Sequence, residues 1–187
     1  LIKNGAGTLT LSGVNTYTGI TTVNGGTLDL GANTQHVGEF SGTGGKIKGN
    51  NGTLYACQTG GSYTYAGNIG DNDTLNFYRG GVNNANLILT GDNTTKGNVT
   101  AFNGSPLGPN GFTLNSLGKL SQLSQLNLSS SAIKIDNSTT NTSNRINDAA
   151  SVSLRGGAIA YAGNSGSSTS ETMGDLYLVC GQCHIKI

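Results

Sequence analysis

Apolar residues along this chain recur at alternate positions in short runs, most of them with a polar residue between. Leu9-Thr10-Leu11, Leu28-Asp29-Leu30, Leu75-Asn76-Phe77 and Leu87-Ile88-Leu89 open the series. Leu126-Asn127-Leu128, Ile133-Lys134-Ile135, Val152-Ser153-Leu154, Leu176-Tyr177-Leu178 and Ile185-Lys186-Ile187 complete it. Alternation with period two places one face of an extended segment inside and the other outside, so each triplet predicts a short β-strand. Gly, Asn or Asp bounds every run and supplies the turns. Helical periodicity is weak. Leu117, Leu120, Leu123 and Leu126 recur every three residues, a spacing that fits an irregular segment or a corner between strands better than a helix.

The strands are organised by internal repeats. Residues 9–26 match residues 87–104 at a constant offset. Leu9, Leu11, Gly13, Asn15, Thr16, Gly19, Thr22 and Gly26 meet Leu87, Leu89, Gly91, Asn93, Thr94, Gly97, Thr100 and Gly104. A shorter echo links Gly25-Gly26 and Val37-Gly38-Glu39-Phe40 with Gly156-Gly157 and Met173-Gly174-Asp175-Leu176. Identity confined to strand ends and turns is what stacked coils require, because each coil buries its inward residues only against the next. At roughly 20–25 residues per coil the chain makes about eight coils. At ~4.8 Å per coil these build a rod on the order of 40 Å long. The whole chain, 1–187, is read as one such region.

Composition agrees with an all-β chain and narrows its chemistry. Charged residues make up 10% and aromatic residues 6%, there are 31 Gly, and the net charge is +1. Disorder usually comes with high net charge and few β-branched residues, and this chain has neither feature. The balanced charge argues against nucleic acid or anionic lipid as partner. No apolar run approaches the ~20 residues of a transmembrane helix. Leu1 stands where a start Met would be, so the chain reads as a mature or excised piece of something longer.

Residues 5–30, Gly-Ala-Gly-Thr-Leu-Thr-Leu-Ser-Gly-Val-Asn-Thr-Tyr-Thr-Gly-Ile-Thr-Thr-Val-Asn-Gly-Gly-Thr-Leu-Asp-Leu, closely resemble the autotransporter-associated β-strand repeat. Residues 87–108 resemble a degenerate second copy, and residues 146–187 resemble the segments that accompany such repeats. The resemblance implies a right-handed parallel β-helix, secretion, and display outside the cell or at a bacterial cell surface. It implies a structural or adhesive scaffold with no catalytic role and no cofactor, whose partners would be further copies of itself or surface and matrix glycans and proteins.

One motif departs from that picture. Cys180-Gly181-Gln182-Cys183-His184 is C-x-x-C-H, the attachment signature of haem c. In that chemistry Cys180 and Cys183 hold the macrocycle and His184 binds iron, with His36 or Met173 as the sixth ligand. An extracellular electron carrier is therefore an alternative function. The same two cysteines also suit a local disulfide, free thiols or an adventitious metal site. Cys57, the remaining cysteine, is expected to be a small buried residue, with a free exposed thiol or a link to another chain as the alternative. Asp71-Asn72-Asp73 places two carboxylates in a turn that could bind calcium, although no EF-hand pattern continues from it. A carbohydrate-active β-helix is a second alternative and would need clustered carboxylates. No G-x-S-x-G elbow is present, and Gly118-Lys119 is followed by Leu120 where a phosphate loop needs Ser or Thr.

Overall fold

Period-two segments separated by tight corners leave each strand with two open edges, and stacking successive coils closes them. The computed structural model of the chain describes residues 1–82, 85–102 and 111–187. It is a parallel β-solenoid with three walls, and no helix occurs among the described residues. Each turn of the chain contributes a strand, or its equivalent, to one wall after another.

The first wall contains Ile2–Lys3, Thr21–Val23, Phe40–Ser41, Gly61–Tyr65, Ala85–Leu89, Gly111–Leu114, Ala132–Asp136, Ala158–Ala162 and His184–Lys186. Gly42 joins its two halves, donating to Thr64 O at 2.9 Å and accepting from Ala66 N at 3.0 Å. The second wall runs through Thr8–Thr10, Thr27–Asp29, Lys46–Lys48 and Asn68–Ile69, then Asp92–Asn93 and Lys119–Leu120. The third wall is one seven-stranded sheet from Thr34–Val37 to Leu176–Cys180. Seven stacked strands there correspond to about seven turns, against the eight expected. Coils lengthen along the rod. A contact between neighbouring coils joins residues 19 apart at Thr22 and Ser41, and 27 apart at Asn141 and Ser168.

All nine predicted triplets fall on or overlap strands. The leucines spaced by three lie around a corner. Leu120 ends a second-wall strand, Leu126 enters a third-wall strand, and Leu123 is buried between them, while Leu117 is exposed. Inside the rod, apolar side chains stack in columns. Leu28 pairs with Leu9 and Ile47, and Ile47 with Ile69. An aromatic chain of Phe40, Tyr65, Phe77 and Phe112 fills the interior towards the N-terminal end. Burying each such side chain contributes roughly 1.5–3 kcal/mol.

The two copies of the internal repeat occupy different walls. Leu9 pairs with Leu28 in the second wall, whereas Leu87 pairs with Tyr63 and Phe112 in the first. Their shared feature is local. Asn15 Nδ2 donates to Gly13 O at 3.0 Å, and Asn93 Nδ2 donates to Gly91 O at 2.9 Å. The repeat thus encodes a strand followed by an asparagine-tied corner, a unit that any wall can use. Gly104 and the rest of 103–108 in the second copy lie outside the described residues.

Asn93 also shows how a buried polar residue can stand in for a ladder. Its Oδ1 accepts from Ile69 N at 3.0 Å, and its Nδ2 donates to Lys119 O at 2.9 Å. A fully buried side chain thereby bonds to the coil on either side where the second wall is interrupted.

Candidate functional sites

The corner between the first and second walls carries a groove of about 560 Å³. Its floor is glycine because neighbouring coils approach too closely for a side chain. A Cβ on Gly26, where φ is +61°, would lie 2.3 Å from Gly7 O, and one on Gly67 would lie 2.3 Å from Gly45 O. The rim is polar and already paired. Lys46 Nζ sits 2.9 Å from Asp71, Asn68 Nδ2 donates to Thr94 Oγ1 at 3.0 Å, and Asp92 accepts from Ser121 Oγ at 2.6 Å. Asp92 is the one carboxylate among the lining residues. Paired acids at glycosidase separations are what glycoside hydrolysis requires, and the groove has no such pair.

Asp71 and Asp73 turn to different partners. Asp71 faces two ammonium groups, Lys46 at 2.9 Å and Lys48 at 3.8 Å. Asp73 accepts from the backbone N–H groups of Gly49 (3.1 Å), Asn50 and Thr74 (2.6 Å). Burial pushes the Asp73 carboxyl up, but these N–H donors and the Lys48 charge outweigh it and hold the group below its ordinary value. Asp71 and Asn72 adopt φ of +46° and +65°, the left-handed turn that Asx residues tolerate. Lysines and backbone donors thus tie this turn down. Among the described residues no group of three or more His, Cys, Asp and Glu could hold a metal ion.

The C-x-x-C-H motif lies where the last coil passes from the third wall to the first. Cys180 ends Leu176–Cys180, and His184 opens His184–Lys186. Cys180 pairs with Arg155 across an irregularity in register, and His184 pairs with Ala158. Only Gly156 and Gly157 lie beneath the three residues 181–183, so the upper corner carries an extra residue. Cys183 turns inward, with Sγ 3.4 Å from Leu154 O and packed against the core, while Cys180 is exposed. Cys180 and Cys183 thus stand at the two ends of this corner, with His184 on the strand that follows. The two candidate sixth ligands lie away from this corner. His36 lies six strands away in the third wall, about 29 Å at ~4.8 Å per strand. Met173 packs against the core at the corner before Leu176–Cys180, whereas the cysteines sit at the corner after it.

Cys57 corrects the expectation of burial. Ala56 and Gln58 take the inward positions of Thr53–Gln58, so alternation turns Cys57 outward and it is exposed.

Two buried arginines escaped the sequence reading. Arg79 is fully buried, donates from Nε to Gln58 Oε1 at 3.3 Å and from Nη2 to Ala85 O, and has no carboxylate partner among the described residues. Burial lowers its pKa to about 10. Its position was legible, since Arg79 follows Leu75 and Phe77 on the inward parity of one strand. Arg145 gave no such signal, because it lies outside any strand. A third missed group, Glu171, reaches back one coil. Its carboxylate accepts from Arg145 N at 3.0 Å and Ile146 N at 2.7 Å, donors a stacked strand would otherwise engage.

Residues 1–30 match the family profile of the passenger-associated-transport-repeat. No curated protein and no solved structure matches the chain.

Proposed function

We propose that this chain, a passenger-repeat β-solenoid of the autotransporter kind, is an exported structural or adhesive module that works at or beyond the bacterial cell surface. The observation behind this reading is the repeat at residues 1–30 continued into a rod of parallel coils. The family relationship supports an exported passenger segment. The architecture supports a scaffold, because a parallel ladder along the rod gives stiffness while the outward side chains remain available. The third wall shows this in the succession His36, Tyr55, Tyr78, Thr100, Asn127, Ser153 and Tyr177, one outward residue per coil. Such a face suits many weak contacts with an extended glycan or matrix chain. The single acid in the groove supports a role without catalysis. No helix among the described residues is long and apolar enough to cross a membrane.

Antibodies raised against the rod test this on intact cells of the source bacterium. Surface labelling, together with reduced attachment to glycan- or matrix-coated plates after deletion of the coding segment, is the expected result. Labelling only after permeabilisation would overturn export. Unchanged attachment with intact labelling would overturn adhesion and leave the structural role.

A further inference from the structure

Building on the adhesive reading above, we propose that the glycine-floored groove between the first and second walls binds a linear, uncharged polysaccharide laid along the rod. The groove runs across the strands, parallel to the rod axis. Ala6 lines one end and Asp92 the other, and the coils between contribute Thr27, Lys46 and Asn68. Thr27 pairs with Lys46 and Lys46 with Asn68, so the lining is stacked in register, coil upon coil. Successive steps of ~4.8 Å from the coil of Ala6 to that of Asp92 give a length of about 19 Å. An extended chain of sugar rings can therefore lie on several coils at once.

The floor offers donors that the fold leaves unused. Among the described residues, the backbone N–H groups of the lining glycines Gly26, Gly44, Gly45, Gly67 and Gly91 donate to no acceptor. Gly67 is buried, a setting in which a backbone donor is normally paired. These residues carry no side chain, so a flat ring can approach their backbone directly. The end of the groove keeps an acceptor. Asp92 uses Oδ1 for Ser121 Oγ, which leaves Oδ2. A hydroxyl group both donates and accepts, so a hydroxyl-rich chain serves the N–H groups and the carboxylate alike.

Other polymers fit the lining less well. Lys46 is held by Asp71 at 2.9 Å, while Asp92 has no cationic partner among the described residues. A polyanion would meet that unneutralised carboxylate. Ala6 and Ala66 are the only apolar side chains among the described lining residues, so a peptide or lipid finds no pocket for an apolar anchor.

Native electrophoresis of the full chain through gels containing a dissolved polysaccharide tests this. Galactomannan, hydroxyethyl cellulose and dextran are the neutral probes, and alginate and heparin the acidic ones. At least one neutral probe should retard the chain, and the acidic probes should not. Ala66 is exposed, so Ala66→Gln fills the groove without entering the core. It should weaken retardation several-fold while the circular dichroism spectrum stays unchanged. Tyr78→Ala, on the outer face of the third wall, should leave retardation as it was. Retardation by the acidic probes, alone or alongside the neutral ones, would overturn the uncharged ligand. Retardation by no probe would overturn the groove as a glycan site, with adhesion then judged by the attachment assay on cells. Retardation lost in Tyr78→Ala but kept in Ala66→Gln would move glycan binding to the third wall, overturning the groove while the adhesive reading stood.

Discussion

Arg145 donates its Nε–H to Asn137 Oδ1 at 2.7 Å, with both residues wholly shielded from solvent. The remaining guanidinium donors engage four backbone carbonyls. Nη1 donates to Gly118 O at 2.7 Å, and Nη2 to Ser116 O at 2.9 Å and to Asp136 O and Thr140 O at 3.2 Å each. Residues 137–145 carry no strand, so one side chain supplies donors that a ladder would have provided.

Replacing Arg145 with Met should therefore destabilise the rod by about 3 kcal/mol, because several buried carbonyls lose their donor. Arg145→Lys should recover only part of this, since an ammonium has three donors and lacks the planar fork. Urea unfolding followed by far-ultraviolet circular dichroism measures both. An unchanged midpoint for Arg145→Met would mean that water replaces the guanidinium without loss.

Two carboxyls should give pH dependences of opposite sign. Burial pushes the Glu171 carboxyl above its ordinary value of 4.5, more than the N–H groups of Arg145 and Ile146 lower it. The folded chain then holds a proton that the unfolded chain has lost. This part of the stability is present below pH 4.5 and declines as pH rises through the folded value. Burial also pushes the Asp136 carboxyl up, but the Lys134 ammonium at 2.7 Å and the Ser138 hydroxyl and N–H outweigh it, leaving the group below its ordinary 3.8. Asp136 should stabilise the fold above pH 3.8 and cease to do so as pH falls through its folded value. Denaturation midpoints across pH 2–7 for Glu171→Gln and Asp136→Asn should each lack one of these slopes. Parallel curves for a variant and the parent would refute the assignment for that residue.

Tyr55 stacks between His36 and Tyr78 on the outer face of the third wall. Its ring centroid is 4.6 Å from each neighbour, with interplanar angles of 2° and 18°. Parallel in-register strands impose this spacing, since the rings repeat at nearly the interstrand distance. Tyr55→Ala should cost about 1 kcal/mol, and a double-mutant cycle with Tyr78→Ala should show coupling of about 0.5–1.5 kcal/mol. Strict additivity would show that the rings are adjacent only because the strands are.

Much of this protein was decided locally. Period-two triplets such as Leu126-Asn127-Leu128 fix both the strand and its buried face, because alternation of side chains is a property of the extended backbone itself. Glycine and asparagine fix the corners for equally local reasons, as the matching bonds within Gly13-Val14-Asn15 and Gly91-Asp92-Asn93 show. The passenger repeat at residues 1–30 was legible on the same grounds, since it is built from these two elements.

What the tertiary structure decided depends on contacts between residues about 19–27 apart in sequence. The wall that receives a given strand follows from the number of residues spent at each preceding corner. That sum placed Leu9 and Leu87 in different walls despite their matching sequence. The same sum set one extra residue over Gly156-Gly157, at the corner where Cys183 turns inward. Buried polar groups such as Asn93, Arg145 and Glu171 are chosen where a wall is interrupted, and the interruption exists only once coils are stacked. Local alternation determines what each segment is, while coil-on-coil hydrogen bonding determines what it meets.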